Sequence, residues 1–386
     1  MSEWKEYKLG TLCDVRDGTH DSPKESHEGY PLVTSKNIKN GKIDLSNTYL
    51  ISESDYNFVN QRSKVDQWDI LFSMIGTIGE SAIVKERPKY AIKNVGLFKT
   101  HGNKLLASWI YYYFHSLQAK EEMNACMKGS TQQYISLTDL RNFPIEIPSE
   151  DYQRKVVSIL SSLDDKIDLL NRENATLEAM AETLFRQWFI EEAKEDWEEG
   201  TISDLIDFNP TRKLAKDTVA PFLEMSNLST STYAPTYWYD RVFSSGTKFQ
   251  NGDTLLARIT PCLENGKTAH VDFLNEGQVG WGSTEFIVMH SKMGLHPFFS
   301  YVVAKYQDFR DYAESCMAGS SGRQRVDVDN LKNYPISIPD TITINQFNAT
   351  VESFVSKMQI NNKQIQALKA QRDILLPKLM SNEIQL

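Results

Sequence analysis

The sequence predicts a mixed α/β chain: two homologous domains with curved sheets, related by pseudo-two-fold symmetry and separated by a long antiparallel coiled coil of two helices. Three observations carry this. CMKGSTQQYISLTDLRNFPIEIP (residues 126–148) returns, worn, as CMAGSSGRQRVDVDNLKNYPISIP (316–339) about half a chain later. Each copy is preceded by short β-type runs. Each is followed by a long segment whose apolar residues alternate at spacings of three and four.

A repeat offset near 190 is too long for a solenoid and means a duplicated half, one domain followed by one helix, twice. A chain of 386 residues also exceeds what one core comfortably holds. The expected division is 1–150 and 196–340 for the two domains, with helices over 151–195 and 341–386. Along the chain, Trp4 aligns with Trp197, and PLVTSKNI with PFLEMSNL, which puts Asn37 on Asn227. WDILFSMIG aligns with GDTLLARIT, which puts Asp69 on Asp253, and Tyr111 falls on Tyr301.

The strands expected are YPLVTS, DILFSMIG, SAIVKE, VGLFKT and FPIEIP in the first half. Their counterparts are APFLEMS, DTLLARI, TAHVDF, TEFIVMH and YPISIP in the second. Short runs bounded by Gly, Asn and Asp dominate. One helix of about 17–20 residues is expected before each GS turn.

The long segments carry Leu160, Leu163, Ile167, Leu170, Asn174, Leu177, Ala181, Leu184 and Trp188, and, every position 191 later, Val351 to Leu379. Four heptads this regular make a coiled coil. Each helix leaves one half and must reach the other, so the pair runs antiparallel. Seam partners then have a constant sum, and 535 sets Asn174 against Asn361, Ala181 against Phe354 and Arg372 against Leu163. The buried Asn pair fixes register, because a slip would leave each amide unpaired. Val156, Leu169, Phe185, Phe189, Ile190, Ile360, Ile374 and Leu376 lie off the seam. The domains or partner helices from another chain must cover them.

Composition excludes several classes. No apolar run is long enough to span a bilayer, and MSEWKEYKLG lacks a signal peptide's apolar core, so a reduced, cytoplasmic setting is expected. The four cysteines show no CxxC spacing, and Cys126 and Cys316 read as equivalent core positions. Net charge is −9, concentrated in residues 151–200, where thirteen acidic side chains face six basic ones. The rest is near neutral, so bulk charge gives no positive sign of a nucleic-acid face.

Duplicated half, GS turn, P-I-x-I-P strand, then long helix: with LDDKIDLLNRENATLEAMAETLFRQWF and LLPKLMSNEI, the chain resembles the specificity subunit of type I restriction–modification systems. The resemblance covers the whole chain. It implies two target-recognition domains, each reading one half of a bipartite double-stranded DNA site. It implies helices that dock two adenine-methylating modification subunits, with motor–nuclease restriction subunits joining for cleavage. Asn382 departs from the pattern, standing where a glycine is common. Helices rising about 1.5 Å per residue would act as a ruler near one turn of B-DNA.

No catalytic residues are expected. There is no amino-methylation tetrapeptide and no cofactor loop, and NGKT (residues 265–268) lacks the upstream glycine of a phosphate loop. No metal spacing is present among the histidines. Base reading needs Arg, Lys, Asn or Gln on exposed loops. The GS turns offer Ser130, Thr131, Gln132 and Gln133 in one half, and Ser320, Arg323, Gln324 and Arg325 in the other. Lys36, Asn37 and Asn227 follow the first core strand of each half, where the asparagines serve equally well as turn residues. Arg258 ends an apolar run, where phosphate contact would explain a charge. Lys85 and Arg87, with Lys89 and Lys93, form either a phosphate clamp or a solvated hairpin. Phe185, Phe189, Ile190, Ile374 and Leu376 are the candidates for subunit docking.

Overall fold

The structure, a computed structural model, describes residues 4–46, 48–129, 133–292, 294–320, 322–384 and 386. The chain folds as two compact units, Met1–Lys166 with Leu368–Leu386, and Ile167–Ala367.

In the first unit, Ile70–Ser73 and Val95–Lys99 are buried along their whole length. Central strands covered on both faces read as continuous apolar runs. They form an antiparallel sheet in the order Asp14–Asp17, Val95–Lys99, Ile70–Ser73, Ser81–Ile83. A second sheet places Tyr30–Val33 between Leu50–Ile51 and Ala91–Ile92, parallel to the latter. Lys5–Lys8, just after Trp4, pairs with Pro144–Ile147, the first P-I-x-I-P strand.

The second unit repeats this plan. Its sheets run Ile206–Phe208, Phe286–Ser291, Asp253–Ala257, Thr268–His270, and Tyr239–Val242, Val219–Leu223, Gly280–Gly282, Thr247–Phe249. Val219–Leu223 lies parallel to Gly280–Gly282, and Glu198–Thr201 pairs with Pro335–Ile338.

The duplicated aspartates open the central strands, and each is buried on a cation from its own half. Asp69 is 1% exposed and accepts from Lys99 Nζ at 3.0 Å. Burial is the main influence on its carboxyl and raises its pKa. Asp253 is fully buried between Arg212 Nη2 at 2.7 Å and His290 Nδ1 at 2.8 Å. Lys99 and His290 come from the same neighbouring strand of the two sheets.

The helix expected before each GS turn is two helices in each half. Lys104–Phe114 stops at Ser116, whose hydroxyl caps Leu117–Cys126 by accepting from Ala119 N. Phe299–Lys305 stops at Tyr306, an extended residue before Gln307–Ser315. A cap residue ends one run and starts the next within an unbroken apolar pattern. Cys126 and Cys316 are half-buried at the ends of these helices, not core residues.

The long helices are Glu150–Phe185, continued by a π-helical stretch Arg186–Glu191, and Thr341–Met380. Within the second unit they run antiparallel: Asn361 Nδ2 donates to Asn174 Oδ1 at 2.8 Å, and the rings of Phe189 and Phe347 lie 5.0 Å apart. Ala181 is fully buried in the core on which Phe354 packs. Within the first unit, Arg372 donates to Asp164 at 3.0 Å, and the Tyr152 hydroxyl donates to Leu379 O at 3.1 Å. The seam arginine therefore meets a carboxylate one residue beyond Leu163. Asn382, past the second helix, has φ +59°, the left-handed position that glycine commonly fills at a helix end.

Candidate nucleic-acid interface

The second GS turn grows from a two-rung ladder in which Met317 pairs with Val326 and Ala318 with Arg325. The ladder leans on the chain leaving the central strand Asp253–Ala257. Val326 N donates to Arg258 O at 2.9 Å, Thr260 N donates to Gln324 O at 3.1 Å, and Ile259 bridges Arg325. The first half repeats this. Lys128 and Tyr134 exchange backbone hydrogen bonds of 2.9 Å, Ile75 bridges Tyr134, and Ile135 N donates to Met74 O at 3.0 Å. In both halves, then, residues that flank the GS turn are held against the loop that leaves the most buried strand. That rigid seating is what a reading loop needs to keep its side chains on groove edges.

The side chains differ in what they have left to offer. Arg323 and Ser320 are exposed, and Gln324 is half-buried with its carbonyl bound to Thr260. Arg325 forks onto Glu285, with Nε at 3.0 Å and Nη2 at 2.7 Å. That bidentate pair raises its pKa and turns the side chain into a strut for the turn. Arg258 donates Nη2 to Val326 O at 3.2 Å, so its charge has a structural reason besides phosphate. Gln133 is exposed. Ser130, Thr131 and Gln132 lie outside the described residues.

Lys36 is exposed on the turn Ser35–Asn37. Asn37 is a buried turn residue whose amide is bound at both ends within its own turn. It is 6% exposed, its carbonyl oxygen accepts from Thr34 N and Oγ1 at 2.9 Å, and its NH2 donates to Asp44 O at 3.1 Å. Asn227 is half-buried, and its backbone oxygen accepts from Thr236 N at 3.0 Å. Lys85 is ion-paired with Asp165 on the long helix at 2.9 Å, whereas Arg87 and Lys89 are exposed in the loop that follows.

The docking candidates need the larger correction. Phe185 and Phe189 are each 1% exposed, because they stack on one another and pack edge-on or tilted against Phe299 in the second unit's core. Leu376 is buried in the first unit's core and Ile190 is half-buried against the second's. A domain seated on a helix end covers off-seam positions that a two-helix pair leaves bare. Ile374 remains exposed, as do Leu169, Met180 and Ile360.

The register pair sits in a wider polar network that only three dimensions reveal. Asn174 Nδ2 donates to Asn362 Oδ1 at 2.9 Å, and Asn361 Nδ2 also donates to Glu173 at 2.9 Å. Asn362 donates to the Tyr233 hydroxyl, which in turn donates to Asp272. Tyr301 donates to buried Glu178, whose carboxyl is pushed up to about 7 by burial. Among the described residues, no helix is long and apolar enough to cross a membrane, and no group of three or more His, Cys, Asp or Glu side chains is placed to hold a metal ion.

Residues 1–179 and 194–370 each match the sequence pattern described as the type I restriction modification DNA specificity domain. The MjaIX specificity subunit of Methanocaldococcus jannaschii is 21% identical over 99% of this chain and 94% of that protein. The HindI specificity subunit of Haemophilus influenzae is 28% identical over 50% of this chain and 42% of its own length. Among solved structures, the type I restriction–modification S subunit from M. genitalium is similar in fold, with a TM-score of 0.53 and 16% identity over 98% of this chain and 96% of that one.

Proposed function

The chain belongs to the family of type I restriction–modification DNA specificity subunits, and from that premise we propose that it supplies sequence recognition, without catalysis of its own, to a methylating and restricting complex. Each half reads one short block of a bipartite duplex site. The observation that carries this reading is the duplicated seating of a GS turn on the loop that leaves the central strand, through Ile75 and Tyr134 in one half and Ile259 and Arg325 in the other.

Arg323 and Gln324 in the second half, with Gln133 in the first, would present donors and acceptors to base edges. Arg fits the O6 and N7 acceptors of guanine and Gln fits the N6 and N7 edge of adenine. Lys36, Arg87 and Lys89 suit phosphates, which position the protein on the duplex without reading it. The exposed helix residues Leu169, Met180, Ile360 and Ile374 would receive the modification subunits, since a docked partner would remove their apolar surface from water.

The test is methylation-sensitive sequencing of a host that carries the complex with Arg323→Ala and Gln324→Ala together. One block should relax by about 1–3 kcal/mol per lost bidentate contact, and the other should stay intact. Uniform loss over both blocks would move these residues to phosphate contact or to folding.

A further inference from the structure

We infer that Arg310, on the helix Gln307–Ser315, is a positioning residue for the second reading turn; this rests on the assignment of residues 320–325 as that turn. The loop between Asp253–Ala257 and Thr268–His270 folds back over the Arg310 side chain. Nη2 donates to Glu264 O at 2.9 Å and lies 3.4 Å from Leu263 O. Gly266 sits flat over the guanidinium, since a Cβ added there would lie 3.2 Å from Cζ, Nη1 and Nη2 alike. Its φ of +72° is the left-handed conformation glycine takes without strain. The NGKT sequence that resembled a phosphate loop is thus the apex of a turn laid on an arginine.

The grip is transmitted by short steps. Leu263 is fully buried in the core, and Cys262 and Leu263 both donate backbone N–H groups to Ile259 O. One residue on, Thr260 N holds the Gln324 carbonyl of the reading turn. Fixing the carbonyls of residues 263 and 264 therefore fixes the backbone on which Gln324 is hung. Arg310 Nε is buried without a hydrogen-bond partner, so the side chain is held by Nη2 on the loop carbonyls of Leu263 and Glu264. The first half solves the problem differently: beneath its shorter loop, Gly79 rests on the Met123 thioether. An effect of Arg310 should accordingly be confined to the second half-site.

The experiment uses the reconstituted complex with its modification subunits on a plasmid library randomised in both half-sites. Arg310→Ala should relax discrimination at the second word by roughly ten- to hundredfold, the scale on which small misplacements act, and leave the first word as in the wild type. Arg310→Lys keeps the charge but not the flat fork and should fall between. Gly266→Ala, which disturbs the same contact while keeping the arginine, should reproduce the relaxation and covers the case in which Arg310→Ala fails to fold. Loss of both words together with a lowered melting temperature would make the residue merely structural and overturn the inference. So would both words intact in Arg310→Ala and Gly266→Ala. Whether the reading turn falls with it is told separately by Arg323→Ala with Gln324→Ala, which still relaxes the second word if that turn is the reader.

Discussion

Replacing Asn174 by leucine tests the register of the helix pair. The substitution removes the 2.8 Å bond from Asn361 Nδ2 and the 2.9 Å bond to Asn362 Oδ1. Asn361 is fully buried and its Oδ1 already lacks a partner, so the change leaves one more of its polar groups poorly satisfied. A buried group left unpaired costs about 1–3 kcal/mol, and burying leucine returns about 1.5–3 kcal/mol only if the site accepts its shape. The expected net loss is about 2 kcal/mol, which for a unit of some 200 residues lowers the melting temperature by about 4–8 °C. Adding Asn361→Leu removes the orphaned amide and its unpartnered oxygen together. Glu173, whose side chain is 41% exposed, then turns to water. The double variant should recover the lost stability or exceed the wild type, while trapping of engineered cysteine pairs should report slipped registers. Thermal melting of the wild type and both variants decides it. A double variant no more stable than the single one would refute the pairing argument.

Glu178→Gln should change how stability depends on pH. The folded carboxyl is raised to about 7 from 4.5, so its contribution is full below about pH 4.5 and lost as pH rises through about 7. Denaturant unfolding from pH 4.5 to 8 should show the wild type losing stability relative to the Gln variant across that window, and parallel curves would exclude it. Asp272 and Glu182 are raised too, but they are common to both proteins and cancel. Ile360→Glu should leave melting unchanged, because the side chain is 61% exposed, yet weaken association with the modification subunits at least tenfold in sedimentation or calorimetry; unchanged assembly would clear that face. Adding one heptad to each long helix, between Asn174 and Leu177 and between Met358 and Asn361, adds about 10 Å of helix. On a library that varies only the gap, the preferred spacing should grow by roughly three base pairs, with weaker methylation because the second block is also rotated. An unchanged gap would end the ruler idea.

The coiled-coil seam and the central strands were legible because their signals are local. Spacings of three and four identify the helices, Asn174 and Asn361 identify the register, and DILFSMIG and DTLLARI read as strands. What was hidden depends on residues far away in the chain. Nothing near Arg325 announces that Glu285, forty residues earlier, takes its guanidinium. Off-seam Phe185 and Phe189 read as surplus apolar side chains, since periodicity tells what one partner helix leaves bare and not that Phe299 arrives to cover it. Asn37 shares an alignment position with Asn227, but only its own turn consumes both ends of the amide. The break at Ser116 was missed because a capping serine interrupts the backbone without interrupting the apolar pattern.

The aspartates that open the two central strands have a consequence for inheritance. Asp69 is neutralised by Lys99, and Asp253 by Arg212, with His290 hydrogen-bonded beside it, so the counter-charge of each travels in the same stretch of gene as the acid. A genetic exchange with its crossover in one of the heptad-matched helices would keep each of these two aspartates together with its counter-charge. Were Asp69 matched by a cation from the other half, every such chimera would inherit an uncompensated carboxylate in its core, at a cost of several kcal/mol. On the proposed reading, in which each half reads its own block, such an exchange would change one block while the buried aspartate pairs of both halves stay intact.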